Sequence, residues 1–157
     1  MFTKYLSGIK MNFEWPVRVY YEDTDSGGVV FYANYLSFME RARTEYLRHF
    51  GFEQDQLIEQ RNTIFAVRSV QLDYLSPARF NDQLIVTAKI TELKKASMLF
   101  EQKIYRQDQP EKTLCQGQVR IACLRADTFK PSAIPGEISE IVSGAMSQSI
   151  TEVAGVD

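Results

Sequence analysis

Between Asn34 and Phe50 the apolar residues recur every three or four positions, and this segment limits what the chain can fold into more than any other. Tyr35, Phe38, Met39, Ala42, Tyr46 and Phe50 form one stripe, while Glu40, Arg41, Arg43, Glu45 and Arg48 cover the remaining surface. Asn34 is placed to cap the start of this helix and Gly51 to stop it. Such a helix must bury its stripe, and the rest of the chain supplies the partner. After a shorter helix expected over 53–60, the pattern changes to period two. Residues 63–75 are rich in β-branched and aromatic side chains, and their alternation slips between Val67 and Val70, as a bulge would produce. The turn 76–82 leads to a strand on which Leu84, Val86, Ala88 and Ile90 alternate. Met98, Phe100, Gln102 and Ile104 alternate on the next strand, and Asp108-Gln109-Pro110-Glu111 closes a hairpin. The strand 114–125 turns Cys115, Val119, Ile121 and Cys123 inward. A first strand, 16–21, precedes the long helix, with Val17, Val19 and Tyr21 on one face. Strand, long helix, then a run of antiparallel strands is an α+β pattern with one helix on one face of one sheet.

At 157 residues the chain is one domain. Its 18 Lys and Arg against 20 Asp and Glu leave a net charge of −2, which argues against a nucleic-acid binder held by clustered positive charge. Residues 131–157 hold four of the acids and no Lys or Arg, so residues 1–130 set 18 cations against 16 acids, net +2. That acidic segment is expected to be poorly ordered or docked only peripherally. Residues 1–15 lack the apolar core of a signal peptide, and no apolar run is long enough to span a membrane. Cys115 and Cys123 lie on one strand, roughly 26 Å apart along it, too far for a disulfide. Two buried reduced thiols suit a cytoplasmic location. With His49 as the single histidine, no Cys/His zinc site can be assembled.

Chemistry concentrates where the first strand meets the long helix, at Tyr20-Tyr21-Glu22-Asp23-Thr24-Asp25-Ser26-Gly27-Gly28-Val29-Val30-Phe31-Tyr32-Ala33-Asn34-Tyr35. Three carboxylates are followed by two glycines, which allow close backbone approach. The helix N-terminus comes next, with free N–H groups that favour negative charge. A carboxylate facing backbone donors suits acyl transfer: the acid supplies the nucleophile or base, and the amides stabilise an oxyanion. On spacing alone, solvated turn residues are the commoner account of such a loop. A Ca²⁺ or Mg²⁺ site on Glu22, Asp23 and Asp25 is a further reading, without the EF-hand pattern.

The stretch "RVYYEDTDSGGVVFYANYLSFMERARTEYLR", residues 18–48, resembles the signature of hotdog-fold acyl-CoA thioesterases, nearest to the Tol–Pal-associated and 4-hydroxybenzoyl-CoA thioesterase branches. "LDYLSPARFNDQL", residues 72–84, resembles the family's next landmark, so the likeness spans about 15–130. It implies a long central helix wrapped by a curved antiparallel sheet of about five to six strands, and subunits joined edge to edge as a homodimer or homotetramer. It further implies hydrolysis of an acyl-CoA to free acid and CoA with no metal or other cofactor; a short-chain or aromatic acyl group is compatible with it, and the resemblance does not select between them. Asp25, the second Asp of "EDTD", is the implied catalytic carboxylate, and the backbone N–H at or beside Tyr32 the implied oxyanion donor. Tyr21, Gly28, Val29 and Tyr35 are the implied substrate contacts. The nearer branch often has His where this chain has Tyr32. A phenol with a pKa of about 10 is a poorer base than imidazole, which leaves the backbone N–H as the main role of this position. Arg61, Arg68, Arg79, Lys94 and Lys95 include candidate ligands for the CoA phosphates, and no spacing selects among them. A non-hydrolytic module binding acyl-CoA or acyl carrier protein is the alternative. A hotdog dehydratase is disfavoured because His49 lies at the far end of the helix, where its expected role is a favourable C-terminal charge.

Overall fold

The computed structural model describes residues 13–156; the expectation about a signal peptide falls mostly on residues 1–12, outside this range. Five strands form one antiparallel sheet in the order β1-β3-β4-β5-β2. They are β1 (Phe13–Arg18), β2 (Thr63–Tyr74), β3 (Gln83–Leu93), β4 (Ser97–Arg106) and β5 (Gln109–Arg125). The helices are α1 (Asn34–His49), α2 (Gln54–Arg61) and α3 (Gly136–Val156). α1 lays its stripe across the sheet. Phe38, Met39, Ala42 and Tyr46 are buried with Leu84, Val86, Ala88 and Ile90 of β3, Met98, Phe100 and Ile104 of β4, and Val119 and Ile121 of β5. Full burial of each large apolar side chain contributes roughly 1.5–3 kcal/mol, so this interface dominates the energetics. The helix-in-sheet arrangement is the one the hotdog resemblance implies.

One polar cluster is buried inside this interface. Gln102 is fully buried on the core face of β4, and its amide donates to the carbonyls of Met39 (3.0 Å) and Thr87 (3.1 Å). Its Oε1 accepts from the buried guanidinium of Arg43 at 3.0 Å. Burial lowers the Arg43 pKa from its ordinary value, while the charge of Glu40 opposes that shift. Gln102 thus ties α1 to the sheet at its centre.

Three details differ from the sequence expectations. β1 begins and ends three residues earlier than expected, at Phe13 and Arg18. Pro16 is tolerated because β1 is an edge strand, where a missing N–H breaks no ladder. Tyr21 leaves the strand for a 3₁₀ turn, Tyr21–Asp23, because the Asp23 carboxylate captures the Tyr20 N–H at 2.8 Å. The β4–β5 hairpin turns at 107–108, and β5 already starts at Gln109.

The largest departure is the acidic segment. It docks on the core: Ile134, ahead of α3, and Ile138 and Val142, on α3, are buried. Ile138, Val142 and Met146 recur every four residues and seat α3 on β3. Arg61 of α2 pairs with Glu137 at its start, supplying the cation that the segment itself lacks. By contrast, the bulge in β2 lies between Val67 and Ser69, within the expected interval, and both cysteines are buried and unpaired on β5. No helix among the described residues is long and apolar enough to cross a membrane.

Candidate active site

The junction between β1 and α1 folds as a small hairpin. The Asp25 N–H donates to the Val29 carbonyl (2.9 Å), the Gly28 N–H to the Asp25 carbonyl (3.1 Å), and the Phe31 N–H to the Asp23 carbonyl (2.9 Å). Gly28 takes φ +79°, the left-handed conformation that an L side chain resists. Gly27 serves differently: a Cβ there would stand 3.3 Å from Asp25 Oδ1. Without it, the Gly27 N–H donates to that same oxygen at 2.8 Å. The exposed Asp25 carboxylate is therefore anchored through one oxygen, while Oδ2 has no hydrogen-bond partner among the described residues.

The three carboxylates have separate tasks. Asp23 is buried and holds the Tyr20 N–H, a structural role. Glu22 and Asp25 are exposed. Among the described residues no three His, Cys, Asp or Glu side chains converge as metal ligands would, and Glu22, Asp23 and Asp25 do not converge either.

The start of α1 lacks a side-chain cap. Ala33 occupies the cap position, and the Asn34 side chain instead donates to the Asp23 carbonyl at 2.8 Å. Asn34 thus staples the hairpin to the helix rather than capping it, a correction to the sequence expectation. The Tyr32 N–H donates to no acceptor among the described residues. An amide of this kind at a helix start is a ready donor to an anion.

Tyr32 and Asp25 thus belong to one hairpin, Asp25 at its tip and Tyr32 at its base. The Tyr32 side chain is 63% exposed, and its carbonyl accepts from the Tyr74 hydroxyl of β2 at 3.1 Å. Val29 is partly buried and bridges to Arg79. Tyr35 is buried, and its hydroxyl accepts from the Ala78 N–H at 3.0 Å. Burial raises its phenol pKa, partly offset by that hydrogen bond. Tyr35 therefore supports the junction from beneath. Tyr21 lies to one side, 75% exposed, stacked on Phe80 with ring centroids 3.7 Å apart. His49 sits at the other end of α1 against the rings of Phe13 and Phe50, where burial lowers its pKa. That opposes the C-terminal charge expected of it. Tyr74 and Phe80 escaped the sequence reading as site neighbours, although both lie in the landmark 72–84.

The model of the thioesterase superfamily matches residues 27–113. The chain belongs to the thioesterase superfamily. The match begins at the glycine pair, takes in Tyr32, α1, Tyr74 and the 76–82 turn, and ends in β5. Among the superfamily relatives, the acyl-CoA thioesterase YbgC of Haemophilus influenzae is 45% identical over 126 residues, covering 80% of this chain and 90% of that protein. The acyl-CoA thioesterase YbgC of Helicobacter pylori (strain J99) is 37% identical over 133 residues, covering 80% and 96%. The crystal structure of a probable thioesterase from Bartonella henselae superposes with a TM-score of 0.74 at 33% identity, covering 79% of this chain and 99% of that one. The fold is the hotdog fold of these thioesterases.

Proposed function

We propose that this thioesterase hydrolyses acyl-CoA thioesters bearing a short or aromatic acyl group. The observation that carries the proposal is the pairing, in one hairpin, of a half-anchored Asp25 carboxylate with the unengaged Tyr32 N–H at an uncapped helix start. The Tyr32 amide polarises the thioester oxygen and takes up the negative charge that develops on it. Asp25 either attacks the carbonyl carbon, giving an anhydride that water opens, or removes a proton from water as that water attacks. In both routes the C–S bond breaks, the sulfur leaves as thiolate and takes up a proton, and the products are a free acid and CoA. A thiolate leaves readily, so no strong acid is needed beside it. Gly28 and Val29 shape the wall next to Asp25, and the exposed rings of Tyr21, Phe31 and Tyr32 offer flat apolar surface to the acyl group. The acyl-CoA thioesterase names of the 45% and 37% identical relatives support this reading.

The proposal extends to the assembly. β2 is an edge strand that exposes Val67, Val70 and Tyr74, with exposed Leu75 just past its end, an apolar edge suited to pairing with a second copy as a homodimer or homotetramer. Monomeric scattering mass at micromolar concentration would contradict it. The buried, reduced Cys115 and Cys123 fit a cytoplasmic protein.

The test is thiol release across short, long and aromatic acyl-CoAs. Turnover restricted to short or aromatic acyl groups is the expected result. Retained affinity without release would instead identify a non-hydrolytic binding module.

A further inference from the structure

We propose that Asp82 and Arg106 are positioning residues for the reaction: through the turn 76–82 they hold the hairpin of Asp25 and Tyr32 in its working place. The inference rests on the thioesterase reading of that hairpin. The second arm of the hairpin, Val29–Val30, lies between two neighbours. On one side is the arm of Asp25, whose N–H donates to the Val29 carbonyl at 2.9 Å, with Thr24 bridged to Val30. On the other side is the turn: the Val30 N–H donates to the Ala78 carbonyl at 2.8 Å, and Val29 bridges to Arg79. The place of the hairpin relative to the sheet is therefore set in large part by the place of this turn.

Asp82 and Arg106 fix that turn. Asp82 Oδ2 accepts from the Arg79 N–H at 2.8 Å and from Arg106 Nε at 2.9 Å. A second guanidinium nitrogen of Arg106 donates to the Pro77 carbonyl at 2.9 Å, so one planar fork grips the turn at two points. Arg106 is the last residue of β4, an interior strand, and the fork carries the position of the sheet to the turn. β1 holds the same turn through its backbone: the Val19 N–H donates to the Asp82 carbonyl at 3.0 Å, and the Asn81 N–H to the Val19 carbonyl at 2.9 Å. The Arg106 and Asp82 side chains are only 18% and 21% exposed, so water weakens their pairing little. Every link lies within one chain, and the clamp is the same however copies assemble. Without the Asp82 carboxylate, the Arg79 N–H and the Arg106 guanidinium lose their shared acceptor, and the turn must shift for them to find another. A displacement of about 1 Å at a reacting group can cost about 100-fold in rate.

Steady-state kinetics with an acyl-CoA, and native-state amide exchange without substrate, test this on wild type, Asp82→Ala, Asp82→Asn and Arg106→Met. Asp82→Ala and Arg106→Met should each lower kcat about tenfold with KM within about threefold, the signature of a displaced reacting group rather than lost substrate binding. The double variant Asp82→Ala/Arg106→Met should fall no more than about twofold below the worse single one, because the pair acts as a unit. Asp82→Asn keeps an acceptor oxygen for both donors and should retain at least about a third of the wild-type kcat. In Asp82→Ala the Val30 amide should exchange at least about tenfold faster, while amides at the centre of α1 keep their rates. Ile138→Ala, which loosens α3 instead, controls for lost stability and should keep kcat within about twofold. A kcat within twofold of wild type in both Asp82→Ala and Arg106→Met, an equal fall in Ile138→Ala, or unchanged Val30 exchange would overturn the assignment. A wild type that releases no thiol while Val30 exchange still responds to Asp82→Ala would refute the thioesterase reading and leave the clamp on the hairpin standing.

Discussion

The Tyr74 hydroxyl donates a 3.1 Å hydrogen bond to the Tyr32 carbonyl, tying the edge strand β2 to the turn that leads into α1. Tyr32, just ahead of α1, is thereby held through its carbonyl from the sheet side, while its own N–H, on the preceding peptide unit, donates to no acceptor among the described residues. The Tyr32 and Tyr74 rings stand edge to face with centroids 6.3 Å apart, which adds a packing component to the same link.

Tyr74→Phe keeps the ring and removes the link. Because Tyr74 is 49% exposed, the stability loss should be small, about 0.5 kcal/mol. The functional loss should appear as a fall of about threefold in kcat with KM nearly kept, because the oxyanion donor is less well positioned. Urea denaturation and steady-state kinetics on one preparation check both.

Gly28→Ala tests the hairpin. Nothing lies within 4 Å of where a Cβ would stand, so the cost comes from φ +79° alone, about 1 kcal/mol or somewhat more. Gly28→Asn should recover part of that loss, since Asn tolerates the left-handed region. Equal stability of Gly28→Ala and wild type in denaturant would show that the turn is not held as described.

Ile138→Ala tests the docking of α3. The side chain is fully buried, so truncation should cost about 3 kcal/mol in chemical denaturation. A change within about 0.5 kcal/mol, typical of a surface site, would restore the expectation of a loosely attached segment.

The thiols give a pH prediction. Burial, reinforced by the Asp73 charge, pushes Cys115 up to about 12, and burial pushes Cys123 up to about 11, from an ordinary value near 9. Between those values the folded chain keeps protons that the unfolded chain has lost. Stability is therefore full below about pH 9 and falls as pH rises toward 11–12. Tyr105, raised by burial and then by Glu14 to about 12, acts in the same direction above its ordinary 10. At pH 8 a thiol reagent should find neither cysteine in the native protein and both in denaturant.

Much of this architecture was legible in the sequence. The stripe from Tyr35 to Phe50 defined α1 because helical period and burial coincide there. The slip between Val67 and Val70 marked the β2 bulge, and the alternation from Cys115 to Cys123 gave the core face of β5. What escaped depends on side chains that act at a distance. Asn34 has an N-cap's identity but spends its amide on Asp23, eleven residues back. Tyr21 continues the strand pattern but is turned aside by the grip of Asp23 on Tyr20. The acidic composition of 131–157 masked a helix whose cation, Arg61, lies 76 residues earlier. The contact of Tyr74 with Tyr32 spans 42 residues and leaves no local signature.

The most direct test of the account is kcat for Asp25→Asn on the best acyl-CoA of the panel, with folding verified by unchanged circular dichroism and denaturation midpoint. The substitution preserves shape and the bond to Gly27 while removing the base or nucleophile, so kcat should fall at least about 100-fold. A kcat within threefold of wild type would contradict the assignment of Asp25 as the reacting carboxylate.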